Sequence, residues 1–184
     1  KNHNSNLHIM GTIGTGKVHA SIDHLYALLE FCQMRGLTNV YLHLITDGRD
    51  SDPRAAVELI EKLSKYTKSN NIGTIATICG RYFVMDRDNR WDRIQKAYDM
   101  LTLGAGFQAT DPIQALKDSY AKGITDEFIE PTLVTDNLYP ITITDNDALI
   151  FYNFRHDRAR EITKAFVMPE NVFQDGFKRQ KVVN

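Results

Sequence analysis

The sequence predicts an α/β fold, a mostly parallel open sheet with helices on both faces, in a single domain over residues 1–184. Three observations predict it. Apolar runs of strand length alternate with segments whose apolar residues recur at helical spacing, the order expected of crossover connections and a parallel sheet. The strands run into polar turns rich in glycine or arginine before the next helix begins. No repeat, low-complexity tract or linker-like composition divides the chain, and 184 residues suffice for one core without disulfides or metals.

Residues 7–13 form an apolar strand that ends in the turn Gly14-Thr15-Gly16. A helix follows, with Ile22, Leu25, Tyr26, Leu28, Leu29 and Cys32 on its repeat and Arg35-Gly36 as basic last turn and glycine stop. Residues 40–45 make a second strand, and the turn Thr46-Asp47-Gly48-Arg49-Asp50 leads to Pro53, expected in the first turn of a helix bearing Ala56, Leu59, Ile60 and Leu63. A third strand spans 72–78. Residues 81–88 read as a charged loop before a helix with Trp91, Ile94, Ala97, Tyr98 and Leu101. Residues 112–120 look helical, whereas 125–139 read as an irregular excursion over the active face. Residues 148–154 are the last strand and 157–166 its helix; beyond Pro169 little pattern is visible.

Lys+Arg 22 against Asp+Glu 23 gives a formal charge of −1, so no general basic field draws in nucleic acid. No apolar run has the length that spans a bilayer. Cys32 and Cys79 lack the spacing of a zinc site or redox dithiol, and a reduced, cytoplasmic setting is the expectation. The opening Lys1-Asn2-His3-Asn4-Ser5-Asn6 lacks the hydrophobic stretch of a signal peptide, and because the sequence starts without methionine the expectation is an excised piece of something longer.

Positive charge is instead concentrated in arginine-bearing turns, each read as following a strand: Gly48-Arg49-Asp50, Gly80-Arg81-Tyr82, Met85-Asp86-Arg87 and Arg155-His156-Asp157-Arg158. Guanidinium is planar, permanently charged and able to grip carboxylate or phosphate with paired hydrogen bonds. Open sheets bind ligands outside the carboxyl ends of their strands. The fold would therefore bring Arg49, Arg81, Arg87, Arg155 and Arg158 around one cleft for a small, multiply negative molecule. Asp47-Gly48-Arg49-Asp50 also reads as a local Asx turn. Arg155 and Arg158 near a helix start oppose its dipole unless an anion lies between, which favours function. In the run 86–93, Arg87 is the ligand candidate, while Arg90 and Arg93 brace the loop and Trp91 packs.

His19, placed at the start of a helix, could bridge a ligand oxygen and a carboxylate, or serve as a cap or buried hydrogen-bonding group. His8 and His43 lie within strands and face packing. No histidine pair or carboxylate cluster has ligand spacing, so no metal site is expected in this chain. Gly11 to Lys17 matches a P-loop up to its lysine, but Val18 stands where Ser or Thr must hold magnesium, leaving nucleotide phosphotransfer a runner-up. A non-catalytic anion-binding module is the other alternative.

Taken together, Val18-His19, Ile22-Asp23-His24-Leu25, Thr46-Asp47-Gly48-Arg49-Asp50, Gly80-Arg81-Tyr82, the run 85–93, Tyr120-Ala121-Lys122-Gly123 with Thr125-Asp126-Glu127-Phe128, and Asn153-Phe154-Arg155 with Asp157-Arg158-Ala159-Arg160 resemble the cofactor-independent phosphoglycerate mutases, in the same order, from about residue 7 to 166. That family joins a phosphatase-like domain, with a serine nucleophile and two manganese ions, to a substrate-holding domain. The resemblance implies that this chain is the second alone, from an isomerase that interconverts 3- and 2-phosphoglycerate in glycolysis. It implies that His19, Arg49, Asp50, Arg81, Arg87, Arg155 and Arg158 hold the substrate, with Asp50 contacting the glycerate hydroxyls and moving a proton. It further implies no cofactor in this chain, two Mn²⁺ in the missing domain, and phosphoglycerate and that domain as partners. The isolated chain is expected to bind weakly and turn over nothing. The sequence departs from the family where Gly14-Thr15-Gly16-Lys17 replaces Ser-Asp-Gly-Gly, Ser21 replaces a second histidine, and His156 replaces proline.

Overall fold

Strand β1 (Leu7–Ile13) divides the molecule into layers, because its Ile9 and Ile13 enter one apolar core and Met10 the other. The computed structural model describes residues 5–135, 139–173 and 176–183. Over these residues β1 is followed by α1 (Ile22–Met34), β2 (Val40–Thr46), α2 (Ala56–Asn70), β3 (Thr74–Gly80), α3 (Arg81–Val84), α4 (Trp91–Leu103), β4 (Phe107–Ala109), α5 (Pro112–Ala121), β5 (Thr132–Val134), β6 (Ala148–Phe151) and α6 (Arg160–Val167). The sheet order is β4-β5-β3-β2-β1-β6. β1 pairs in parallel with β2 and β6, β2 with β3, and β4 with β5, whereas β3 and β5 are antiparallel.

Helices α1, α2 and α5 cover one face, burying Leu25, Leu29, Ile60, Leu63 and Leu116 against Ile9, Leu42, Leu44 and Ile78. Helices α3, α4 and α6 cover the other with Val84, Ile94, Leu101 and Ile162 against Met10, Ile45 and Cys79. The β2–β3 register slips between Leu42 and His43, so that Leu42 meets Ile75 while His43 meets Thr77. That bulge lets Ile75 and Ile78 share one face although they stand an odd number of residues apart.

Several boundaries differ from expectation. Pro53 does not open α2, whose first residue is Ala56 after a separate turn, and the Pro53 carbonyl accepts the Asp126 N–H at 2.9 Å. Residues 81–84 of the expected loop close one turn of helix, so Arg87 follows α3 and not a strand. β4 and β5, each three residues, emerge where no strand was expected. The expected final strand stops at Phe151, and α6 starts at Arg160 after a turn. After Pro169, Phe173 and Phe177 are buried against Trp91 and Tyr98. The excursion 125–139 does place the short 3₁₀ turn Asp126–Phe128 over the ends of β2 and β3, although residues 136–138 lie outside the described set.

His8 and His43 do more than pack. His8 Nδ1 is 2.8 Å from His43 Nε2, His8 Nε2 is 3.2 Å from Asp147 Oδ2, and His43 Nδ1 is 2.9 Å from Thr77 Oγ1. With both rings neutral the chain has one sense: Thr77 donates to His43, His43 to His8, and His8 to Asp147. A hydrogen-bonded line thus crosses the three central strands beneath the core.

Candidate functional site

The site is assembled at the carboxyl ends of β1, β2, β3 and β6. Asp47, the first residue past β2, organises its turn: Oδ1 accepts the Arg49 and Asp50 N–H groups at 3.4 and 3.2 Å, and Oδ2 accepts the Ser51 hydroxyl at 2.8 Å. The turn needs Gly48, which sits at φ +63° with the 3₁₀ turn packed on it so that a Cβ would lie 2.6 Å from Glu127 N. Ser51 Oγ in turn accepts the N–H groups of Thr15 and Gly16 at 2.9 and 3.1 Å. The loops after β1 and β2 are thereby tied together, and a Cβ on Gly16 would collide with the Asp50 carbonyl.

Those two amides are the donors a P-loop would turn toward phosphate, and Ser51 occupies them. Lys17 pairs with Asp23 at 3.1 Å on the surface, and α1 begins only at Ile22. The nucleotide reading is therefore not favoured. His19 precedes that helix instead of starting it, while Ser21 is the N-cap, accepting the Asp23 N–H at 3.3 Å.

Arg81, 3% exposed, is the hub. Its Nη1 lies 2.5 Å from Asp47 Oδ1 and 2.6 Å from Asp50 Oδ2, and its Nη2 is 3.2 Å from His19 Nε2. A guanidinium only donates, so Nε2 is the accepting nitrogen of His19 and Nδ1 carries the proton. That Nδ1 is 3.7 Å from Asp157 Oδ1 and has no hydrogen-bond partner among the described residues. The His19 carbonyl accepts the N–H groups of Phe154 and Arg155 at 3.0 and 3.3 Å, holding the β6 loop against the β1 loop. Asn153 adds a second tie, its side chain pairing with the Thr12 backbone N–H and hydroxyl.

Asp157 lies between two of the expected arginines, 3.0 Å from Arg87 Nη1 and 3.0 Å from Arg155 Nε. Arg49 reaches Glu127 at 3.4 Å. Arg158 differs: its Nη1 donates to the Met85 carbonyl at 2.9 Å, and no carboxylate among the described residues lies within ion-pair distance. Arg49, Arg81, Arg87 and Arg158 line one cleft of about 450 Å³ with Tyr82, Phe128 and Glu127. Arg90 and Arg93 line it too, but both pair with Asp86, and Arg93 also stacks 3.7 Å over Tyr82. They brace the loop as expected. His19, Asp50 and Arg155 are not cleft-lining residues; they join it through Arg81 and Asp157. Asp157 and Glu127, the carboxylates that hold these arginines in place, were not among the expected site residues. A larger hollow of about 550 Å³ beside β4 and α5 has no such convergence of cations.

Charges are biased accordingly. Burial pushes the Asp50 carboxyl up, but the hydrogen bond and charge of Arg81 outweigh it and hold the group below its ordinary range. Asp157 is likewise lowered overall, burial being outweighed by Arg87 and Arg155. Burial and then Arg81 lower His19, leaving it neutral near pH 7. Arg158 is lowered by burial and by the positive charges of Arg81, Arg87 and Arg49. Like charges gathered in this way cost stability unless an anion compensates them. Among the described residues no three His, Cys, Asp or Glu gather as a metal site, and guanidinium cannot ligate a cation.

Fold and site together define an α/β domain with an arginine-lined cleft at the carboxyl edge of its sheet. The chain matches the family model for the BPG-independent PGAM N-terminus over residues 1–184 and belongs to that family. It is 46% identical over 183 residues to the 2,3-bisphosphoglycerate-independent phosphoglycerate mutase of Clostridium perfringens, covering 99% of this chain and 35% of that protein. It is 48% identical over 184 residues to a second such enzyme, from Methanosarcina acetivorans, again with 35% of the relative covered. The crystal structure of Leishmania mexicana phosphoglycerate mutase at low cobalt concentration superposes with a TM-score of 0.84 at 27% identity, over 99% of this chain and 35% of that one. The chain thus spans about a third of the length of these relatives.

Proposed function

We propose that residues 1–184 are the substrate-holding domain of a phosphoglycerate mutase, completed by a phosphatase-like domain that supplies the serine nucleophile and two manganese ions. The carrying observation is Arg158, half-buried on a cleft lined by five other arginines and with no carboxylate among the described residues within ion-pair distance. A ligand with a phosphate and a carboxylate compensates that excess and can displace Asp157 from Arg87 and Arg155 and Glu127 from Arg49. The reading assigns ligand contact to His19, Arg49, Asp50, Arg81, Arg87, Arg155 and Arg158.

In this reading the domain clamps the glycerate while phosphate leaves and returns, so its contribution is orientation and charge neutralisation. Asp50, held ionised beside Arg81, is suited to accept a proton from a glycerate hydroxyl at the cleft edge. His19, with its lone pair toward Arg81, fixes that guanidinium. Among the described residues no group of three His, Cys, Asp or Glu could hold a metal ion, and this reading assigns manganese to the other domain. Among the described residues no helix is long and apolar enough to cross a membrane, and a cytoplasmic setting is part of the proposal.

Calorimetric titration with 3-phosphoglycerate tests this. Weak, saturable binding that is lost in Arg158→Ala is expected, and equal affinity in both proteins would contradict it. The chain alone should show no turnover, and mutase activity should return when the metal-bearing domain is added. Binding without any such recovery would point to a non-catalytic anion module.

A further inference from the structure

A buried carboxyl outside the arginine cleft ties together the two segments that carry its cations. Glu161, in the first turn of α6, is 4% exposed, and its Oε1 accepts the Asn89 N–H at 3.0 Å. Asn89 holds a left-handed backbone at φ +59°, which makes the loop of residues 85–90 turn back on itself. Across from Glu161 stands Asp86, 3% exposed, whose Oδ2 accepts the N–H groups of Asp88 and Arg90, both at 2.9 Å. Its Oδ1 faces Arg90 and Arg93 at 3.2 and 3.5 Å. Arg90 Nη1 also donates to Asp88 Oδ2 at 2.5 Å, and none of these donors reaches Glu161 Oε2. Glu161 Oε2 is buried with no hydrogen-bond partner among the described residues.

An ionised Glu161 would therefore be a second buried negative charge beside Asp86, where Arg90 and Arg93 are already engaged by Asp86 and the exposed Lys164 of its own helix offsets it in part. A proton on Oε2 removes both difficulties. It neutralises one carboxylate and supplies the donor that the pair lacks.

We propose that Glu161 is a positioning residue for the arginine cleft: as a neutral acid it donates to Asp86 while accepting from Asn89, and so latches the loop presenting Arg87 to α6, the helix that follows the segment carrying Arg155, Asp157 and Arg158. The functional consequence rests on the reading of the cleft as a phosphoglycerate site; the latch does not. Burial and then the Asp86 charge raise Glu161 above the ordinary glutamate range, while Asp86 is lowered overall by its backbone and arginine donors. The latch is closed below the Glu161 midpoint. As pH rises through it, Glu161 ionises against Asp86, the loop loosens and Arg87 is held less well.

Two measurements on the 184-residue chain decide this, with Glu161→Gln as the neutral isostere that keeps both hydrogen bonds. First, carboxyl-carbon and amide NMR across pH should show Glu161 titrating above the free-residue value of about 4.3. The Asn89 amide should move with the same midpoint and lose that movement in E161Q. Second, 3-phosphoglycerate affinity measured at each pH should fall by roughly fivefold or more through the midpoint in wild type relative to E161Q, the lower end of an ordinary coupling between sites. Comparing the two proteins cancels the titration of the ligand itself. An ordinary Glu161 midpoint, or superimposable affinity profiles in the two proteins, would overturn the proposal. Absence of wild-type binding at every pH would instead contradict the phosphoglycerate reading, while the Asn89 titration would still decide the latch.

Discussion

Asp50 and Arg81 meet at 2.6 Å in a turn-to-helix contact between the ends of β2 and β3, and the same guanidinium nitrogen also holds the buried Asp47. Two carboxylates converge on one charge that is itself 3% exposed. Arg81→Ala would strand Asp47 without its partner, and removing one member of a buried pair costs about 3–5 kcal/mol. Urea unfolding should show that loss as a fall in midpoint. Arg81→Lys, which keeps the charge but not the fork that reaches His19 as well, should fall between the two.

Arg158→Ala has a different signature. Its guanidinium is bound to a carbonyl and surrounded by like charge, so deletion should leave the unfolding midpoint close to wild type. Affinity for 3-phosphoglycerate should drop, because hydrogen bonds to charged groups contribute about 1.5–3 kcal/mol each, or roughly tenfold to a hundredfold. Stability and binding thus separate at Arg158 and move together at Arg81.

The line from Thr77 through His43 and His8 to Asp147 makes stability depend on pH. Burial pushes His43 down to about 3, with the neighbouring His8 adding to the shift, and burial also lowers His8. Between pH 3 and the free-histidine value of about 6.5 the unfolded chain binds more protons, so stability rises with pH there, by up to about 1.4 kcal/mol per unit for each proton. Asp126 acts in the opposite sense: burial pushes its carboxyl up to about 6, so its contribution is lost as pH rises toward that value. Glu161 and Asp99, both raised by burial, act in the sense of Asp126, and the lowered His19 acts in the sense of His8 and His43, so the His43 share is read by difference. In urea unfolding at several pH values, the stability of wild type relative to His43→Asn should rise from pH 4 to 6.5, and a difference that stays constant across that range would contradict it.

Gly16→Ala tests how the β1 loop supports the site. The new Cβ would meet the Asp50 carbonyl, and relief requires the Asp50 turn to shift. Overpacking of this kind costs about 1–3 kcal/mol. Thermal unfolding should register that cost, and 3-phosphoglycerate affinity should weaken because Asp50 moves relative to Arg81.

The sequence was most informative where pattern and chemistry repeat over several residues. β1, β2 and β3 are apolar runs long enough to read, and Asp47 to Asp50 and Arg155 to Arg158 announced charged turns at strand ends. β4 and β5 carry only Phe-Gln-Ala and Thr-Leu-Val, too short for any period to show. The burial of Phe173 and Phe177 follows from aromatic packing on Trp91 and leaves no periodic trace. His8 and His43 are diagonal neighbours only because β1 and β2 pair in the observed register, which places His43 beside Met10 and His8 beside Tyr41. Attention to arginine as the ligand-gripping group likewise hid Asp157 and Glu127, although both stood in the quoted motifs. Pro53 was a reasonable first-turn residue whose carbonyl was instead recruited by the distant Asp126.

The central claim is that guanidiniums distant in sequence hold one phosphoglycerate. Diffraction from crystals soaked in excess 3-phosphoglycerate tests it most directly. Ligand density bridging Arg81, Arg87 and Arg158, with Asp50 against a hydroxyl and Asp157 displaced from Arg87, is the expected result. An empty cleft at saturating ligand, or density seated elsewhere on the domain, would contradict it.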